Sequence, residues 1–128
     1  MGALAVQPSS SGYAETLDRL LAGIERRGLT LFGQADHAFA AREAGLELDD
    51  EIVVLFGSPR AGTPLMQADR RIGIELPLRI LVWREGGEVL IGHHDPRELA
   101  SSYDVGPLAA TLEAMAALLV ELTLEAAA

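Results

Sequence analysis

The sequence contains no cysteine and no lysine, so all ten basic residues are arginines. Without cysteine there is no disulfide, thiol nucleophile, redox-sensing thiol or thiolate zinc site. We interpret the absence of lysine as coding bias. A chain of 128 residues has the length of one domain. Such a domain buries roughly two-thirds of its unfolded surface, so it needs no metal or disulfide to fold.

Acidic residues outnumber basic ones by 19 to 10, which gives a net charge of −9. This charge repels nucleic acid and anionic membranes, so we expect neither as a partner. Met1–Gln7 does not resemble a signal peptide, and glutamates interrupt the apolar C-terminal stretch, so we expect a cytoplasmic protein. The stretch from Ser58 to Arg84 is the exception in charge, since it holds five arginines and only two acids.

Two helices are predicted from apolar residues recurring at helical spacing. The first spans residues 13–27 and ends at Gly28. The second, predicted over 107–126, begins at Gly106-Pro107 and buries one stripe: Leu108, Leu112, Met115, Leu119 and Leu122. It also has a second apolar side: Ala110, Ala114, Ala117, Leu118 and Val120. That side is either buried inside the fold or contacts another subunit.

The remaining segments predict short strands and helices. Strands are expected at 4–7, 29–34, 52–56, 78–84 and 89–93, the third of them buried and central and the last two a glycine-linked hairpin. Asp36 is expected to cap one short helix, and Thr63-Pro64 to open another. The mixture predicts an α+β fold over 1–128: a single compact domain with a mainly antiparallel sheet packed against helices and a long C-terminal helix.

Several motifs occur in a characteristic order: Glu15-Thr16, Asp36-His37, Ala41, Gly45-Leu46, Phe56-Gly57-Ser58-Pro59, Thr63-Pro64-Leu65-Met66 and Leu76-Pro77. This order, over about residues 10–103, resembles the family known as domain of unknown function 302. The resemblance implies a compact α+β fold with one antiparallel sheet carrying helices, and a homodimer. It implies no catalytic residues, because none are established for the family. His93-His94 and the alanine-rich segment after Pro107 depart from the family pattern.

The first candidate site is the pair Asp36-His37. A carboxylate beside an imidazole can orient it and raise its basicity for proton transfer. However, adjacent residues at a helix start do not face each other. The alternative is that Asp36 only caps the helix and His37 packs locally.

The second candidate is the loop predicted over Gly57–Thr63. Its backbone N–H groups, with Ser58, Arg60 and Thr63, can hold an anion such as phosphate, carboxylate or sulfate. The alternative is an ordinary turn before a capped helix. The glycine spacing excludes a P-loop and a dinucleotide fingerprint. Serine hydrolysis is excluded because Pro59 lacks the N–H that an oxyanion hole needs.

The third candidate is His93-His94-Asp95, a weak candidate for a metal site. Neighbouring residues of a strand point to opposite faces, so one metal would be held by His93 with Asp95, or by His94 with His37. The alternative is a surface strand end. The sequence assigns no cofactor.

Three functional hypotheses follow. The leading one is a small homodimeric binding module for an anionic or small organic ligand, with a pocket between the sheet and its loops that also includes Leu76-Pro77. Its candidate ligand-binding residues are His37, Phe56, Gly57, Ser58, Arg60 and Thr63. The second is an enzyme using His37 as general acid or base, oriented by Asp36. The third is a purely structural dimer joined through the C-terminal helix.

Overall fold

One five-stranded sheet forms the centre of the fold, with all neighbouring strands antiparallel and the order β1-β5-β4-β3-β2. The structure, a computed structural model, describes residues 2–128. The strands are β1 (Ala5–Pro8), β2 (Thr30–Asp36), β3 (Glu51–Gly57), β4 (Leu78–Glu85) and β5 (Glu88–His93). The helices are α1 (Tyr13–Arg26), α2 (His37–Glu43), α3 (Pro59–Ala68) and α4 (Ala109–Ala127). The predicted α+β fold with an antiparallel sheet is confirmed.

Three 3-10 helices complete the structure. The first 3-10 helix (Arg70–Glu75) follows α3, the second (Pro96–Ser101) follows β5, and the third (Gly106–Leu108) leads into α4. Strands β2 to β5 form an antiparallel meander, since β3 lies between β2 and β4 and β4 lies between β3 and β5.

The core lies on one face of the sheet. Ile52, Val54 and Phe56 alternate along β3 and are buried in one apolar cluster with α1 and α4. The residues between them, Val53 and Leu55, are only half-buried. The continuous apolar run of β3 therefore serves one buried face, with a period of two. Complete burial of a side chain such as Phe56 stabilises the fold by roughly 1.5–3 kcal/mol.

Helices α1 and α4 approach each other closely at Gly23. A Cβ at Gly23 would lie 2.7 Å from Oε1 of Glu125 and 3.1 Å from Cδ2 of Leu122, so a larger residue would require these two side chains to shift. Nearby, Nη2 of Arg27 lies 3.0 Å from Oε2 of Glu125, and Arg26 pairs with the same carboxylate. Packing and ion pairs together fix α4 along α1.

Helix α4 buries most of its predicted stripe and leaves most of its second apolar side outside the core. Its buried residues include Leu112, Met115, Leu119 and Leu122. On the second side, Val120 is 51% exposed and the three alanines are also exposed, whereas Leu118 is half-buried and packs against the core. By length and composition alone, Gly106–Ala127 would suffice to span a membrane, contrary to the prediction drawn from its glutamates. A core helix passes the same test, and the buried stripe of α4 faces the core.

Helix α3 begins earlier than predicted. The prediction placed its start at Thr63-Pro64, but the helix begins at Pro59, with Ser58 at the N-cap position. Pro59 suits the first helical position because its ring fixes a helical φ and its missing N–H is not needed there. Pro64 then lies inside the helix. The predicted Gly57–Thr63 loop is therefore wrong, because most of it forms the first turns of α3.

A polar network holds the first 3-10 helix in place. The buried carboxylate of Asp69 accepts hydrogen bonds from Nε (3.0 Å), Nη2 (2.8 Å) and the backbone N–H (3.1 Å) of Arg71, and from the backbone N–H of Asp104 (3.0 Å). Tyr103 Oη donates to Oε2 of Glu75 at 2.7 Å. The Arg71 guanidinium, with the Asp104 N–H, holds the pKa of Asp69 well below its usual range.

Candidate functional site

A concave pocket of about 330 Å³ opens where β3 passes into α3; we call it the α3 pocket. Four parts of the chain form its walls: the entry to β2, the start of α3, the segment leading into β4, and the middle of α4. The lining residues are Leu29, Phe32, Gly57, Ser58, Pro59, Ala61, Gly62, Thr63, Met66, Gly73, Leu76, Pro77, Leu78, Met115 and Leu118.

The α3 pocket is almost entirely apolar. Only Ser58 and Thr63 among its lining residues carry polar side chains, and both belong to the wall formed by the start of α3. Phe32 is 55% exposed and borders the opening. An apolar molecule fits such a lining, because burying apolar surface is favourable whereas burying an unpaired charge is costly.

The α3 pocket contains part of the predicted anion site. Gly57, Ser58 and Thr63 line it, whereas Arg60 is exposed and is not a lining residue. Phe56 is fully buried in the core and is not a lining residue. The N–H groups of Ala61 and Gly62 donate to the carbonyl oxygen of Ser58 at 3.0 and 2.9 Å. These donors are therefore not free to surround an anion in the way the predicted loop required.

Asp36 and His37 lie apart from the α3 pocket. Oδ1 of Asp36 accepts a hydrogen bond of 2.9 Å from the backbone N–H of Phe39, so the predicted cap of α2 is confirmed. His37 is the first residue of α2, and its side chain is exposed. Burial, together with the charge of Asp36, raises the pKa of nearby Tyr13 to about 12. Asp36 therefore caps α2 and does not form an acid–base pair with His37.

His93, His94 and Asp95 are each placed differently. The His93 side chain is 7% exposed, with Nδ1 3.0 Å from the His94 carbonyl oxygen, whereas His94 is exposed. Asp95 accepts hydrogen bonds from Nη2 of Arg97 at 2.7 Å and from its backbone N–H at 3.0 Å. This guanidinium keeps the pKa of Asp95 below its ordinary value. Within residues 2–128, no three histidine or acidic side chains are grouped so as to hold a metal ion.

Most residues of the α3 pocket were not among the predicted site residues. Leu76-Pro77 was expected to border a pocket, and it does. Phe32, Met66, Met115 and Gly73 were not predicted to belong to the site, because they carry no charged or hydrogen-bonding side chain, whereas Gly62 lay within the predicted Gly57–Thr63 loop. Leu118 was the one sequence signal for this pocket, because it belongs to the second apolar side of α4 and lines the pocket.

The fold occurs in a solved structure. The crystal structure of an uncharacterised conserved DUF302 protein from Bacillus stearothermophilus superposes with a TM-score of 0.86, covering 96% of this chain and 97% of that one. The two sequences are 19% identical, so the likeness concerns the fold.

Curated relatives are longer than this chain. The fluoride-specific ion channel FluC 1 of Brucella suis is 40% identical over 99 residues, which cover 77% of this chain and 39% of that protein. The fluoride-specific ion channel FluC 2 of Brucella melitensis matches to the same extent over 37% of its length. The chain thus spans about two fifths of the curated relatives it matches.

The family profile covers nearly the whole fold. Residues 5–122 match the domain of unknown function DUF302, which includes all five strands and most of α4. The match extends the resemblance seen in the motifs to both ends of the sheet. The chain belongs to the DUF302 family.

Proposed function

We propose that the protein is a binding module for a small, largely apolar organic molecule held in the α3 pocket. The observation that carries this proposal is the pocket of about 330 Å³ whose only polar side chains are Ser58 and Thr63. Ligand sites are typically concave and mostly apolar, with a few polar groups that orient the ligand, and occupy about 300–1,000 Å³.

Of the two ligand classes considered, the organic one has more support than the anionic one. The guanidinium of Arg60 lies outside the lining, and the N–H groups of Ala61 and Gly62 are already engaged. A small anion would lose its hydration without gaining a partner of opposite charge. The hypothesis of an enzyme acting through His37 has less support, because that imidazole is exposed and outside the pocket.

A homodimer is part of the proposal, with the exposed side of α4 as its contact. Val120 and Leu124 are both more than half exposed there, next to alanines at positions 110, 114 and 117. Leu119 and Leu122 are not available for such a contact, because they are buried in the core of their own chain. A cluster of exposed apolar residues on one helix face is typical of a subunit contact.

Filling the α3 pocket is expected to abolish ligand binding. Protein labelled with ¹³C in methionine methyl groups reports on the site directly, since Met66 and Met115 both line it. We expect a library of small apolar fragments to contain members that shift both signals. Ala61→Phe places a ring in the pocket and should lower the affinity for those fragments at least about ten-fold. A change of one methylene group in an apolar pocket already alters affinity by about that factor.

The matched control is Ala40→Phe, which adds the same ring on the exposed surface of α2, away from both the α3 pocket and the proposed dimer contact. This variant should bind the fragments like the original protein. If no fragment shifts Met66 and Met115, or if Ala61→Phe binds as well as Ala40→Phe, the proposed function is wrong.

A second candidate function comes from the curated relatives, whose names describe fluoride-specific ion channels and whose chains contain a segment similar to this one. In this alternative, the domain acts alongside an anion channel. We expect that deleting the matching segment from the Brucella suis relative changes fluoride efflux from vesicles, and that inserting this chain in its place restores the efflux. An unchanged efflux after deletion would remove this candidate. Fluoride itself is not expected in the α3 pocket, since it is strongly hydrated and the lining is apolar.

A further inference from the structure

Three residues that line the α3 pocket are glycines: Gly57, Gly62 and Gly73. None of them has a positive φ, a conformation found instead at Gly28, Gly45 and the two glycines of the β4–β5 turn. Their backbone conformations are therefore open to residues with a side chain. Gly62 also lies within α3, where glycine is a poorer helix former than alanine. Neither turn geometry nor helix propensity accounts for glycine at these positions.

Space in the pocket does account for the glycines. A Cβ on Gly62 would lie 3.6 Å from Cδ1 of Leu76, and a Cβ on Gly57 would lie 3.7 Å from Cβ of Pro77. A Cβ on Gly73 would lie 3.4 Å from Sδ of Met66. A methyl group thus fits at each glycine without displacing backbone, and each would project toward a side chain that also lines the pocket. Because the glycines have no side chains, the space between the facing walls of the pocket stays open.

The side chains around this space favour an aromatic ligand. Met66 and Met115, the only methionines within residues 2–128, both line the pocket, and thioether sulfurs contact ring edges favourably. Phe32 at the opening can pair with a ring in an offset or edge-on arrangement. The volume of about 330 Å³ is about twice that of an engineered cavity of roughly 150 Å³ that binds benzene. That size suits one or two fused rings.

We propose that the α3 pocket selects a planar aromatic molecule of one or two rings with one hydroxyl or similar polar substituent, and that Gly57, Gly62 and Gly73 determine this selectivity. The inference rests on the proposed function, since it names the ligand class of the same pocket. Ser58 and Thr63 supply the hydroxyl groups that meet the single polar substituent.

The test compares two probes that each have ten carbons and one hydroxyl but differ in shape, 2-naphthol and 1-decanol, on the ¹³C-methyl methionine protein. We expect 2-naphthol to bind at least about ten-fold more tightly, a discrimination within the range of an apolar pocket. Its ring current should also shift the Met66 and Met115 methyl signals, an effect that a linear alkanol does not produce.

Gly62→Ala is the decisive variant. We expect it to weaken 2-naphthol binding about ten-fold, because one methyl group occupies the space between α3 and Leu76. Its melting temperature should stay the same or rise by about 2–5 °C, since alanine favours a helix more than glycine does. Loss of binding without loss of stability separates a blocked pocket from a damaged fold.

The matched control is Gly106→Ala, at a glycine without positive φ where a Cβ meets nothing within 4 Å. Its affinity for 2-naphthol should stay within about two-fold of the original. Equal binding of 1-decanol, or an unchanged affinity in Gly62→Ala, would overturn the selectivity inference while leaving a binding module in place. If neither probe shifts the Met66 and Met115 signals, the inference fails, and a fragment screen without hits then removes the proposed function as well.

Discussion

Replacing Leu119 with aspartate is expected to unfold the protein. Leu119 is 2% exposed and packs in the cluster shared by α1, α4 and the sheet. Removing a buried leucine side chain alone costs about 2–5 kcal/mol, and an unpaired buried carboxylate adds to that cost. Domains of this kind are stable by only about 5–15 kcal/mol. Circular dichroism and the dispersion of amide NMR signals at 25 °C measure the outcome.

Val120→Asp, one residue further along α4, is the matched control. Because Val120 is about half exposed, this variant should remain folded with a change in stability of no more than about 0.5 kcal/mol. A folded Leu119→Asp would contradict the packing of α4 described above. The control also tests the proposed dimer: folded monomers of Val120→Asp in native mass spectrometry support a contact through the exposed side of α4, and an unchanged dimer rejects it.

Asp69→Asn is expected to produce the second largest loss of stability. The carboxylate accepts four hydrogen bonds, three from Arg71 and one from the N–H of Asp104. An amide has one acceptor oxygen, so its NH₂ group would face donors that need acceptors. Because the network holds the first 3-10 helix against the Tyr103–Asp104 segment, we expect a lower melting temperature at pH 7.

The pH dependence of this loss has a definite sign. The pKa of Asp69 is depressed in the folded protein, so its stabilising contribution is present above the unfolded pKa, about 3.9. The contribution is lost as the pH falls below that value toward the folded pKa. The gap in melting temperature between the original protein and Asp69→Asn should therefore be constant from pH 7 to about pH 5 and narrow below about pH 4. Asp18→Asn, at an exposed site, should show no comparable gap. A gap independent of pH down to pH 2 would contradict the assignment.

Much of the fold was predictable because local patterns and tertiary packing agree. The apolar stripes on α1 and α4 each mark the face that packs on the core, where their residues are buried or half-buried. The glycine turn between β4 and β5 has two positive-φ residues, Gly86 and Gly87, as a tight hairpin requires. The start of α3 was misplaced because Pro59 and Pro64 are both acceptable first-turn residues, and local sequence does not decide between them.

The α3 pocket was less predictable because no single segment contains it. Phe32, Gly57, Gly73 and Met115 come from distant parts of the chain and meet only after the sheet and α4 are packed. Charged side chains, in contrast, stand out in a sequence even where they do not contribute to a site. Arg60 illustrates the difficulty, since the local excess of arginine was real but helix formation directs this side chain to solvent. His93 is buried and His94 is exposed, as strand alternation predicted, although β5 ends at His93 and His94 lies just beyond it.

The strand order also bears on how the chain folds. Strands β2 to β5 pair with sequence neighbours, whereas β1 joins the sheet by pairing residues 5–8 with residues 90–93, across nearly the whole chain. Closing so long a loop costs more chain entropy than forming a hairpin, and contacts between distant residues are slow to form. β1 is therefore the strand expected to join last and to open first. Its release leaves the other four strands paired and touches no residue of the α3 pocket.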